Sequence, residues 1–144
     1  MKSKGFTLVE IMAVIAILAI LIGIAVPNMV SLSARNKNKM FCTKVQNIES
    51  VAQQYAEDNF SKIETAYNSG TTFEISVKEL IDLGYFKKED ENCNFSDSKP
   101  CVTDPRDKTS MDLKKVNITI KNRRPYAKYV HTELDKTNKT CDNQ

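Results

Sequence analysis

From Phe6 to Val26 the chain runs through 21 residues of which only Thr7 and Glu10 are polar. No other stretch narrows its folding choices as much. As a helix rising about 1.5 Å per residue, this run reaches roughly 31 Å, enough for a bilayer core of about 30 Å. Its Ala, Ile, Leu and Val residues leave no polar side, so it reads as a buried or membrane helix. Glu10 is the exception. A carboxylate deep in lipid is costly and usually marks function, whereas near the interface the same side chain simply reaches out to water.

Lys4-Gly5-Phe6-Thr7-Leu8-Val9-Glu10, followed by the apolar run and Pro27, resembles the prepilin signature of type IV pilins and pseudopilins. The resemblance covers residues 4–27 and fades beyond them. It implies a leader at residues 1–5, cleavage after Gly5 by a prepilin peptidase, and N-methylation of Phe6. It further implies that residues 6–27 form the transmembrane and assembly half of a long helix, with Phe6, Glu10 and Pro27 involved, through which other pilin subunits join a filament. Simple electrostatics supports this. Cleavage would create an α-amine at Phe6, four residues before Glu10 and on the same helix face. In a bundle of such helices, the amine of one subunit meets Glu10 of a neighbour. An unpaired charge in that apolar core is expensive, and a paired one fixes the axial register.

Charge counting alone does not orient the span, because Lys2 and Lys4 precede it and Arg35, Lys37 and Lys39 follow it. The resemblance orients it: the leader lies in the cytoplasm and residues 28–144 form a lobe outside. The implied route is a single-pass protein of the bacterial cytoplasmic membrane, handed by the pilus assembly machinery to an extracellular or periplasmic filament. An ordinary secretory signal fits less well. Its candidate site near Gly23-Ile24-Ala25 is followed by Val26-Pro27, and its apolar core exceeds the usual 7–15 residues or so.

Four cysteines, Cys42, Cys93, Cys101 and Cys141, follow an export segment, which points to disulfides. Three pairings are open. Cys93–Cys101 closes the shortest loop and leaves Cys42–Cys141, whereas Cys101–Cys141 with Cys42–Cys93 staples the C-terminal part.

Beyond Pro27, which should kink the helix, the pattern turns amphipathic. Phe41, Val45, Ile48, Val51, Ala52 and Tyr55 recur at three and four, which predicts one long helix from about Phe6 to Asn59 or slightly further. Asn68 to Thr72 reads as a loop. Ser76 and Glu79 form a capping box for a short helix that ends at Gly84, with Val77, Leu80 and Ile81 buried. Residues 87–112 look irregular. Val116–Ile120 and Tyr126–His131 alternate as two strands about a turn at Asn122–Pro125. A third strand is expected within residues 93–103 or near Glu133-Leu134. The fold class is therefore α+β: a long N-terminal helix on a small lobe with a short helix and a small antiparallel sheet.

No phosphate loop, nucleophile elbow, zinc-protease motif or dinucleotide turn occurs, so an enzyme is not expected. No cofactor or metal is expected either. One His, His131, is too few for a usual zinc set. Asp104-Pro105-Arg106-Asp107 matches no EF-hand and reads as a turn.

The charges are unevenly spread. Residues 74–97 carry seven acids against three lysines, and residues 106–128 carry eight bases against two acids. Such regions either pair between stacked subunits or are solvated faces. Three functions compete: a filament subunit, a competence-type subunit whose basic segment contacts DNA, and an anchored extracytoplasmic domain that forms no filament.

Overall fold

The structure, a computed structural model, describes residues 6–131 and Cys141, with the side chains of 24–31 outside the description. The elements in order are α1 (Leu8–Asp58), α2 (Phe60–Asn68), β1 (Phe73–Ser76), α3 (Val77–Asp82), β2 (Lys115–Lys121) and β3 (Arg124–Tyr129). The chain divides into two compact units, Met1–Lys37 and Asn38–Gln144, and α1 contributes to both. At 51 residues α1 is several times the average helix of about 11–12.

In the first unit α1 begins at Leu8, two residues later than expected, because Thr7 takes the capping position. Thr7 Oγ1 accepts the Glu10 N–H at 3.3 Å, and the Thr7 carbonyl accepts those of Glu10 and Ile11. Helix starts favour this arrangement, since their first amides lack partners inside the helix.

In the second unit the expected stripe of α1 is the spine of the core. Phe41, Val45, Ile48, Ala52 and Tyr55 are buried, with Ala56 added to them and Val51 half-buried. Burial of each large member stabilises the lobe by roughly 1.5–3 kcal/mol. α1 stops at Asp58 because Asn59 leaves helical geometry (φ −116°, ψ 32°). The Asn59 Nδ2 donates to the Tyr55 carbonyl at 2.9 Å, a local side-chain bond that competes with helix continuation. α2 resumes at once and buries Ile63.

The sheet has three antiparallel strands in the order β1-β2-β3. Val116 and Ile118 on β2, Ile75 on β1, and Ala127 and Tyr129 on β3 point into the core. The third strand is not where the sequence placed it. It is Phe73–Ser76, and its register pairs Ile75 with Val116. Residues 93–103 hold only isolated bridges, Ser96 with Lys99 and Thr103 with Ser110. Glu133 and Leu134 lie outside the described residues. β1 is easily missed because it spans four residues and its last, Ser76, is also the cap of α3. The capping box itself is present: Ser76 Oγ accepts the Glu79 N–H at 3.2 Å, and Glu79 accepts the Ser76 N–H at 2.7 Å. That backbone hydrogen bond, followed by one from the Ser76 hydroxyl, lowers the Glu79 pKa. Val77, Leu80 and Ile81 are buried, and Gly84 supplies the left-handed residue (φ 81°) that closes the helix.

The hairpin turn is also tighter than expected. Arg124 and Pro125 already belong to β3, so the turn is Asn122-Arg123 alone, with φ of 51° and 61°. Two positive φ values make a type I′ turn, whose twist matches the strands and which usually carries Gly second. Arg123 occupies that place at a conformational cost of about 1 kcal/mol.

Two disulfides close the lobe, Cys42–Cys141 and Cys93–Cys101, with Cα separations of 5.2 and 5.0 Å. Of the three pairings open from sequence, the structure forms the one that contains the shortest loop.

Candidate functional site

Two regions carry chemistry, one in each unit. In the first, the α1 side chains from Leu8 to Gly23 are exposed on every side. Even the least exposed of the large apolar ones, Ile11, shows 47% of its surface, and Phe6 shows 77%. Monomeric soluble proteins do not present apolar surface around a whole helix. Among the described residues no helix is long and apolar enough to cross a membrane.

Glu10 stands in the first turn of α1, at the third helical position, where the partial positive charge of the helix start favours a carboxylate. Thr7-x-x-Glu10 thus has the spacing of a capping pair, a signal in the sequence that its greasy surroundings hide. Phe6 precedes the helix. Gly5 lies outside the described residues; Pro27 falls within α1, and its side chain is not described.

The second region is the surface of the lobe. Residues 87–112 are irregular, as expected, yet firmly tied down. Asp112 is fully buried and accepts the backbone N–H groups of Cys101 (2.9 Å) and Val102 (2.8 Å). Sequence reading gave Asp112 no role, since nothing local distinguishes it from a solvated loop acid. Asp104 and Asp107 are both engaged as well. Asp104 accepts Arg106 through Nε (3.0 and 3.1 Å) and Nη2 (2.6 Å), and Asp107 accepts the Thr109 N–H and hydroxyl. The Arg106 guanidinium in turn lies 3.4 Å from the centre of the Phe41 ring on α1.

Lys44 anchors the same segment to α1. Its ammonium meets Glu89 Oε1 and donates to the Thr103 carbonyl at 2.5 Å, while Glu89 Oε2 accepts the Thr103 N–H and hydroxyl. Burial on its own pushes the Glu89 carboxyl upward, but the Lys44 and Thr103 hydrogen bonds outweigh it and the net shift is downward. A depressed folded-state value gives stability that is present above the unfolded value and lost as pH falls through the folded one. Acidification between about pH 5 and pH 3 is therefore expected to loosen residues 87–103 from α1. Amide exchange of this segment, corrected for intrinsic rates, should rise over that window in the wild type. In Glu89→Gln it should be raised already at neutral pH and change little on acidification.

A groove of about 490 Å³ runs between α1 and β3, lined by Gln46, Glu49, Ser50, Gln53, Gln54, Glu57, Tyr126 and Ala127. The hydrogen-bond phase of the sheet shows what β3 offers it. The Val130 N–H donates to the Lys115 carbonyl, so the N–H groups of 128, 126 and 124 also face β2. Those of 127 and 129 face outward. The Tyr129 N–H is taken by Glu49 at 2.8 Å, and Pro125 has none to give. Only Ala127 presents an N–H along this edge, which protects the strand against open-ended pairing.

Beyond the groove the hairpin ends in Lys121, Arg123 and Arg124, all exposed, with Lys121 4.0 Å from the Tyr126 ring centre. By contrast, the acid-rich segment is largely engaged within the lobe. Glu74 meets Lys115 at 2.6 Å, Asp82 meets Lys78 at 2.5 Å, Glu79 caps α3 and Glu89 holds Lys44.

No solved structure matches the chain. Residues 1–26 match the family model of the prokaryotic N-terminal methylation motif, so the chain carries at its N terminus the prepilin-type motif of type IV pilins and pseudopilins.

Proposed function

We propose that this protein is a structural subunit, pilin or pseudopilin, of a type IV pilus-like filament. It enters the cytoplasmic membrane as a prepilin, is cleaved after Gly5 by a prepilin peptidase and is N-methylated at Phe6. It then polymerises through its N-terminal helix with its lobe outside the cytoplasm. Residues 6–27 are the membrane and assembly half, and 28–144 the lobe with the second half of the helix. The observation that supports this reading best is a methylation motif at the start of a helix whose first turns, Leu8 to Gly23, have no polar face. Such a helix needs an apolar environment, and lipid followed by a bundle of neighbouring helices supplies one at each stage.

Glu10 has a part in this reading that its place in the first helical turn does not exhaust. Once cleaved, each chain begins with an amine, and the carboxylate of a neighbour is the natural counter-charge in an apolar bundle. No enzyme activity is assigned.

Processing provides the direct test. Gly5→Leu is expected to leave an unprocessed precursor in the membrane, while the wild type yields a mature chain that starts at N-methyl-phenylalanine. N-terminal sequencing and intact mass read both. A normal mature mass from Gly5→Leu, or a mature chain that starts elsewhere, overturns the reading.

A further inference from the structure

We infer that the basic tip of the β2–β3 hairpin docks into the α1–β3 groove of a second copy of this chain. The inference rests on the filament reading and names a contact that reading does not require. Three observations carry it. The tip concentrates Lys121, Arg123 and Arg124 in four residues, and none of them meets a carboxylate among the described residues. Arg123 is held at φ 61°, a position better suited to glycine, so the fold displays a guanidinium where a smaller residue would be relaxed.

The groove is the complementary half. It is lined by the carboxylates of Glu49 and Glu57 and by glutamine amides, with no lysine or arginine in its wall. Lys128 meets Glu49 at 3.6 Å. Most acids of the 74–97 segment are engaged inside the lobe, and in the groove Glu49 already holds the Tyr129 N–H and Lys128, so the exposed Glu57, 3.4 Å from the Gln53 amide, is the carboxylate it presents to a cationic tip. Guanidinium groups carry five donors each, and the groove offers the Glu57 carboxylate and the glutamine amide oxygens as acceptors.

Another copy is the occupant that the opposite charges of tip and groove fit. The tip and the groove lie along one hairpin, with Tyr126 in the groove wall two residues from Arg124. Because tip and groove are different surfaces, the contact is heterologous. Each copy that inserts its tip still offers an empty groove, so the contact repeats without closing unless the rotation happens to make a ring.

The test uses the full chain as the only copy in cells that assemble it, read as subunit in sheared filaments against subunit in the membrane. R123E/R124E is expected to cut the filament fraction at least about tenfold, because carboxylates then face carboxylates. Membrane level and the absence of free thiols should be unchanged, which excludes misfolding. Q53K/E57K should show a similar loss, and the combined variant should recover most of the wild-type yield. Wild-type yield from R123E/R124E, or failure of the combined variant to recover, overturns the contact while the filament reading stands. A wild-type chain that forms no filament overturns both.

Discussion

Glu10→Ala is expected to give a subunit that is membrane-inserted, cleaved and folded, yet absent from filaments. Glu10 lies in the Met1–Lys37 unit, so the lobe in Asn38–Gln144 should keep its stability. In lipid the change should help, since it removes a carboxylate from an apolar helix. The loss arises only on assembly. A neighbour's α-amine would be left in an apolar bundle without a counter-charge, at a cost of roughly 3–5 kcal/mol. Glu10→Gln should be nearly as poor, since an amide keeps the shape and loses the charge. The capping role predicts a different pattern: a helix-start contribution of about 0.3–1 kcal/mol, too small to stop polymerisation. Wild-type filament levels from Glu10→Ala would leave only that role.

Asp112→Ala should be the most damaging single change in the lobe. Its carboxylate is the only described acceptor of the Cys101 and Val102 amides, and the site is fully buried. Removal strands two buried donors at roughly 1–3 kcal/mol each and leaves a small void, for a total of about 3–5 kcal/mol. For a domain of this size that lowers the melting midpoint by roughly 15 °C or more. Asp112→Asn keeps one acceptor but turns an NH₂ toward the second amide, so it should recover about half of the loss. Thermal unfolding of the full chain in detergent measures this. A loss below about 1 kcal/mol would mean that water replaces the carboxylate.

Patterns that repeat were legible in the sequence. The three-and-four spacing from Phe41 to Tyr55 marked the core face of α1, and Ser76 with Glu79 marked the start of α3 to the residue. The alternation of Val116, Asn117 and Ile118 marked a strand. What escaped was short or non-local. β1 has four residues and no room for a period to show. The turn at Asn122-Arg123 was drawn two residues too long because Arg in a type I′ position does not announce itself as Gly does.

The site divides in the same way. The N-terminal motif is contiguous, so residues 4–27 could be matched as a string. The roles of Asp112, Lys44 and the groove depend on residues from 10 to 80 positions apart, the widest being the Glu49 carboxylate on the Tyr129 amide. No local window contains both partners. The cysteine pairing was undetermined for the same reason, since Cys42 and Cys141 are 99 residues apart.

That last bridge also has a mechanical consequence. In the filament proposed above, a subunit held by its N-terminal helix would bear load through α1, and an ordinary domain hung on such a helix can be drawn out like thread. Here the thread is sewn back onto the load-bearing helix at Cys42. Of the chain between the two cysteines, roughly 330 Å of contour length at about 3.3 Å per residue is withheld from extension. Force that disrupts the sheet or the 87–112 loops can stretch only a closed ring whose two ends share one point on α1. The lobe can lose its shape under tension without lengthening the fibre, and it can recover that shape from a chain that was never pulled straight.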